Sequence, residues 1–190
     1  METLVLSSFI DKDIFGKVLA DALGLEKYKL ILKIYDDHGV DNISFKLNFN
    51  SFFRVRRNSA WREIFYSVFL KCSNQKNVSF KEIITTLYAM TNQIEPSFSS
   101  KMLHVINPNY PIWDQYVIKN LGLKLTGNKE TKLHNAIKIY DDIIKWYEDY
   151  MVSKTGKDFI DEFDHRLPKF KDISNVKKID SVLWKLRGQD

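Results

Sequence analysis

A single cysteine, Cys72, stands in the 190-residue chain. One thiol excludes an internal disulfide and any cysteine-built zinc site. No apolar run approaches the ~20 residues that a membrane-spanning helix needs. Met1 to Leu6 is a short apolar stretch followed quickly by Asp11 and Asp13, which does not read as a secretory leader. A reducing, cytoplasmic setting with no membrane partner is therefore expected. Only four prolines and seven glycines occur, and Pro96, Pro108 and Pro111 fall close together. No flexible linker, repeat or low-complexity segment interrupts the chain, so one helical domain over residues 1–190 is expected, as a monomer. His38, His104, His134 and His165 lack ligand spacing, and Asp161, Glu162 and Asp164 offer no defensible metal geometry, so neither metal nor cofactor is expected.

An apolar fraction of 44% with 14% aromatic residues is enough to bury a substantial core, which rules out a disordered chain. The net charge of +5 and a pI near 9.1 lean mildly toward polyanionic partners. The excess is spread along the sequence, so only folding can gather it into a patch.

Apolar residues recur mostly with a helical period. Residues 11–23 carry Ile14, Phe15, Val18, Leu19, Ala22 and Leu23 on one face and run to Gly24. Residues 26–37 stop at Gly39, and residues 59–72 carry Trp61, Ile64, Phe65, Val68, Phe69 and Cys72. Ser79 and Glu82 form a capping-box pattern ahead of a helix ending near Met90. A long run over 129–152 and two helices over 157–166 and 174–186 follow. Residues 40–57 stay open, because Ile43, Phe45, Leu47 and Phe49 alternate as in a strand, yet an irregular apolar segment fits equally. The fold class is all-α, a compact multi-helix orthogonal bundle of seven to nine helices.

Chemistry is concentrated between residues 97 and 117. Lys101 lies early in an apolar helical run beside Phe98, Met102 and Val105. A lysine amine attacks carbon only when partly neutral, and burial supplies that condition. Asp114 follows Pro111-Ile112-Trp113 where a helix through Val117 and Ile118 should begin, so it reads as a rigid, ionised N-cap. Such a carboxylate can stabilise positive charge developing on a sugar ring. The plainer alternatives are a lysine lying along the core with its ammonium in water, and an aspartate that only caps.

Ser97-Phe98-Ser99-Ser100-Lys101 together with Pro111-Ile112-Trp113-Asp114 resembles the helix-hairpin-helix DNA glycosylases of the 8-oxoguanine glycosylase type. Their signature is a hairpin Gly-hydrophobic-Gly-x-Lys, a helix, and then Pro-Val-Asp. The resemblance covers about residues 87–117. It implies that Lys101 is a Schiff-base nucleophile and Asp114 the catalytic carboxylate, with double-stranded DNA as partner. The chain departs from the pattern in having Ser97 and Ser99 for the hairpin glycines. Glycine there lets backbone amides approach a phosphate closely, so Ser97, Ser99 and Ser100 are expected to contribute hydroxyl contacts instead. The interval from Lys101 to Asp114 is also shorter than in the eukaryotic-type enzymes. No iron–sulfur cysteines occur, in keeping with this branch.

Phe52-Phe53-Arg54-Val55-Arg56-Arg57-Asn58 mixes aromatics with three arginines, a composition suited to phosphate contact and base stacking, or else to a loop anchored by its phenylalanines. Arg54, Arg56 and Arg57 are the candidate phosphate contacts. Phe53, Trp113 and Tyr116 are the candidates for a pocket around an extruded base, and for Trp113 a buried structural place is the stronger reading. His104, three residues beyond Lys101, is a supporting residue. Lys177 and Lys178 in the tail read as a solvated helix face. The expected function is excision of an oxidised purine through a lysine Schiff base. The alternative is a catalytically silent helical module for nucleic-acid or protein binding.

Overall fold

The computed structural model describes residues 22–128 and 130–185, and among these there are nine α-helices and no strand. They are α1 (Ala22–His38), α2 (Ile43–Phe52), α3 (Ser59–Ser73), α4 (Phe80–Thr91), α5 (Pro96–Ile106), α6 (Gln115–Asn120), α7 (Lys132–Val152), α8 (Lys154–Arg166) and α9 (Asn175–Lys185). A short 3-10 turn at Pro168–Phe170 precedes α9. The all-α expectation holds. Most of the helix expected over 11–23 lies outside the described residues, and Gly24, read as its end, sits inside α1. No helix among the described residues is long and apolar enough to cross a membrane, and no group of three or more histidine, cysteine or acidic side chains among them is arranged to hold a metal.

Local chemistry sets the helix ends. Asn42, Asn58 and Ser153 accept the backbone N–H groups of Phe45, Trp61 and Gly156 at 3.0, 2.9 and 3.0 Å, each satisfying a donor that the first turn leaves open. Ser79 and Glu82 complete the capping box of α4. Gly39 ends α1 at φ 72°, a left-handed conformation that glycine adopts without a Cβ penalty. Ser153 is both the C-cap of α7 and the N-cap of α8, so the corner between these helices is very tight. At Gly156 a Cβ would lie 1.9 Å from the Tyr150 carbonyl oxygen, so the corner needs glycine.

The open segment over 40–57 resolves as a helix. Phe45 and Phe49 are spaced i, i+4 and are fully buried, while Ile43 and Leu47 on the opposite side are 75% and 65% exposed. Phe49 gathers Phe53, Phe65 and Phe69 around it with ring centroids at 4.7, 5.7 and 5.6 Å. Each such ring taken from water contributes roughly 2–3 kcal/mol, so this cluster is a major stabilising unit. Neighbouring helices pack in sequence, α1 on α2, α3 on α4, α4 on α5 and α7 on α8. The chain is closed by α4 against α7 and by α9 against α6 and α8. That closure brings the last described helix against the helix that Asp114 caps.

Candidate functional site

Helix α5 organises the site twice over. It carries Lys101, and it also fixes the loop that delivers Asp114. Ser100 Oγ accepts the Trp113 backbone N–H at 2.8 Å. His104 lies with Nδ1 2.6 Å from the Tyr110 carbonyl and Nε2 2.8 Å from the Tyr28 hydroxyl. A carbonyl can only accept, so Nδ1 carries the proton and Nε2 accepts from Tyr28. Two further bonds hold the same loop, from the Tyr140 hydroxyl to the Pro111 carbonyl and from Ser174 Oγ to the Pro108 carbonyl, each at 2.7 Å. The loop therefore has little freedom. Asp114 leaves it as the N-cap of α6, accepting the Tyr116 N–H at 2.9 Å.

Beside this loop lies a cavity of about 490 Å³, within the range of small-molecule sites. Lys101 and Asp114 both line it, together with Phe53, Arg54, Tyr116, Lys177, Asp180 and Trp184. Lys101 Nζ donates to Ser97 Oγ at 3.0 Å and stands 5.2 Å from the Phe98 ring centre and 5.9 Å from that of Phe53. Burial pushes its amine below the usual lysine range, while Asp114, Asp180 and Glu95, in that order, draw it back up. A half-buried lysine that feels the charge of Asp114 is thus what the fold produces.

Several expected roles change. Trp113 does not line the cavity; its ring is buried and lies parallel to Phe80 with centroids 6.5 Å apart, making it part of the core. Ser97, Ser99 and Ser100 belong to the first turns of α5 rather than to a hairpin loop. Ser99 donates to the Glu95 carbonyl and Ser100 to the Ser97 carbonyl, at 2.8 and 3.0 Å, and both residues are fully buried. Their hydroxyls serve the helix and the Asp114 loop, not a phosphate outside. His104 is fully buried behind the cavity wall, and burial followed by the nearby Lys177 charge pushes its imidazole down to about 4.

The three arginines separate. Arg54 lines the cavity at φ 53°, just past the end of α2. The Val55 N–H closes back on the Asn50 carbonyl at 2.9 Å, so Arg54 occupies the left-handed position of a helix-ending turn where glycine is usual. Arg56 is exposed and does not line the cavity. Arg57 is ion-paired with the buried Glu95 and stands 5.4 and 5.6 Å from the ring centres of Trp61 and Phe98. It braces the start of α5 against α3.

Residues of α9 also depart from the sequence reading. Lys177 is not solvated; it is buried, paired with Asp180 at 2.6 Å, and lies 5.0 and 5.9 Å from the ring centres of Tyr28 and Phe52. Lys178 is also buried and reaches Asp164 at 2.6 Å. An i, i+3 Lys–Asp pair on an amphipathic helix is normally a surface feature, and only the packing of α9 reveals the difference. Compared with family models, curated proteins and solved structures, the chain matches none.

Proposed function

We propose that this chain is a DNA glycosylase-like protein that uses Lys101 as its nucleophile. What carries the reading is the shared cavity: a lysine whose ammonium is disfavoured by burial lines it together with a carboxylate held rigid by four hydrogen bonds to its loop. In its neutral form Lys101 Nζ attacks the sugar C1′ of an extruded nucleotide. The C1′–N bond breaks, its electron pair leaves with the base, and the base takes up a proton. Asp114 stabilises the positive charge that develops on the sugar ring as that bond stretches. Loss of the amine proton and opening of the ring C1′–O4′ bond give a Schiff base, which water hydrolyses back to the free amine.

The aromatic lining suits the extruded base. Phe53 and Tyr116 line the cavity with aromatic side chains, and Arg54 adds a cation that suits a backbone phosphate. Helices α4 and α5, joined by residues 92–95, are compatible with a helix-hairpin-helix arrangement. An oxidised purine is the substrate class by resemblance. A duplex carrying an abasic site, treated with borohydride, tests the reading: the protein should be trapped covalently, and Lys101→Gln should abolish trapping.

One observation favours a second reading, a catalytically silent helical module for nucleic-acid or protein binding. The hydroxyls of Ser99 and Ser100 are engaged inside the fold, so the segment lacks the phosphate contacts expected of it. Absence of trapping selects that module, with DNA binding that Lys101→Gln leaves intact marking the nucleic-acid form and no DNA binding the protein-binding form.

A further inference from the structure

The cavity contains a buried charged pair that takes no bond-making part in the glycosylase chemistry. Lys177 and Asp180 both line it, both are buried, and their charged atoms are 2.6 Å apart. Burying two ions costs desolvation that their mutual attraction barely offsets, and apolar residues of similar volume would serve the core as well or better. Two aromatic rings, the buried Tyr28 and the half-buried Phe52, lie beside the Lys177 ammonium. The pair comes from α9, whereas the Lys101 amine donates to Ser97 of its own helix. A buried pair that faces a cavity presents a donor beside an acceptor to whatever enters.

We infer that Lys177 and Asp180 read the polar edge of a nucleobase held in this cavity. The inference rests on the glycosylase-like reading, since it needs an extruded base. Nucleobases carry a ring or exocyclic acceptor directly beside an N–H donor, as in a cyclic amide. Lys177 has only donors to offer and Asp180, when ionised, only acceptors. Set side by side they match such an edge with two charge-assisted hydrogen bonds, Lys177 to the carbonyl and Asp180 from the ring N–H. Phe53 and Tyr116 line the same space and supply aromatic surface for stacking. The ligand class is therefore a base with a cyclic amide edge, such as guanine-type, hypoxanthine or uracil bases. An abasic sugar offers the pair nothing.

The test compares duplexes that differ only at one nucleotide: 8-oxoguanine, hypoxanthine, uracil, or the stable abasic analogue tetrahydrofuran. The wild-type protein should bind at least one base-containing duplex more tightly than the tetrahydrofuran duplex by about tenfold or more. Lys177→Met and Asp180→Asn should each remove that preference. A single substitution leaves the partner charge buried and can unfold the protein, so the double variant Lys177→Met/Asp180→Leu, which leaves no orphan ion, is measured beside them with circular dichroism as the folding check. A folded double variant that keeps the preference overturns the inference, as does a wild-type protein that binds all four duplexes alike. Wild-type trapping on an abasic duplex is scored separately: its failure removes the Lys101 mechanism, whereas loss of base preference alone removes only the Lys177–Asp180 role.

Discussion

The Tyr28 hydroxyl donates to His104 Nε2 across 2.8 Å, joining α1 to α5 directly behind the wall that carries Lys101. The other face of the same imidazole holds the Tyr110 carbonyl. The neutral ring satisfies both bonds, with Nδ1 donating to the Tyr110 carbonyl and Nε2 accepting from the Tyr28 hydroxyl. Burial supplies the neutrality, pushing the imidazole from 6.5 to about 4.

That arrangement makes stability depend on pH. The unfolded chain binds a proton at this histidine below about 6.5, whereas the folded protein resists it until about 4. The stabilising contribution is complete above pH 6.5 and is lost as the pH falls through that window, by roughly 3 kcal/mol. Urea unfolding at pH 7 and pH 4.5 should show a steeper loss in the wild type than in His104→Phe.

Arg54 illustrates a conflict between stability and the proposed function. Its φ of 53° costs a non-glycine residue about 1 kcal/mol. Arg54→Gly should therefore raise unfolding stability by about that amount in urea titrations. Affinity for duplex DNA should fall, and the slope of log affinity against log salt should become shallower by about one.

Asp114 and Asp180 both raise the Lys101 amine that burial lowers. Neutralising either carboxylate should favour the free amine at lower pH. The pH dependence of borohydride trapping on an abasic duplex should accordingly shift toward acid in Asp114→Asn and Asp180→Asn. An unchanged or alkaline-shifted profile would show that the carboxylates do not govern this amine.

Much of the frame was legible in the sequence. Ser79 with Glu82, Gly39, and the asparagine and aspartate caps at 58 and 114 are local signals, and each operates within one turn of its own residue. The segment around Phe45 was open because its apolar residues alternate, and alternation also contains an i, i+4 pair; the Asn42 cap was the signal that favours a helix. Trp113 and the serines of α5 were placed by analogy with a loop, while their surroundings depend on Phe80, Tyr140 and the packing of α7. Lys177 and Asp180 were beyond reach. Nothing within α9 announces that Tyr28 and Phe52 lie over the lysine, since those contacts span well over a hundred residues.

The most direct measurement is to trap the wild-type protein with borohydride on an abasic duplex and map the modified lysine by mass spectrometry of the digested adduct. The account predicts one covalent species, with the sugar remnant on Lys101 and no adduct in Lys101→Gln. An adduct on Lys177 or on a surface lysine, or no adduct from a folded protein that binds the duplex, would contradict it.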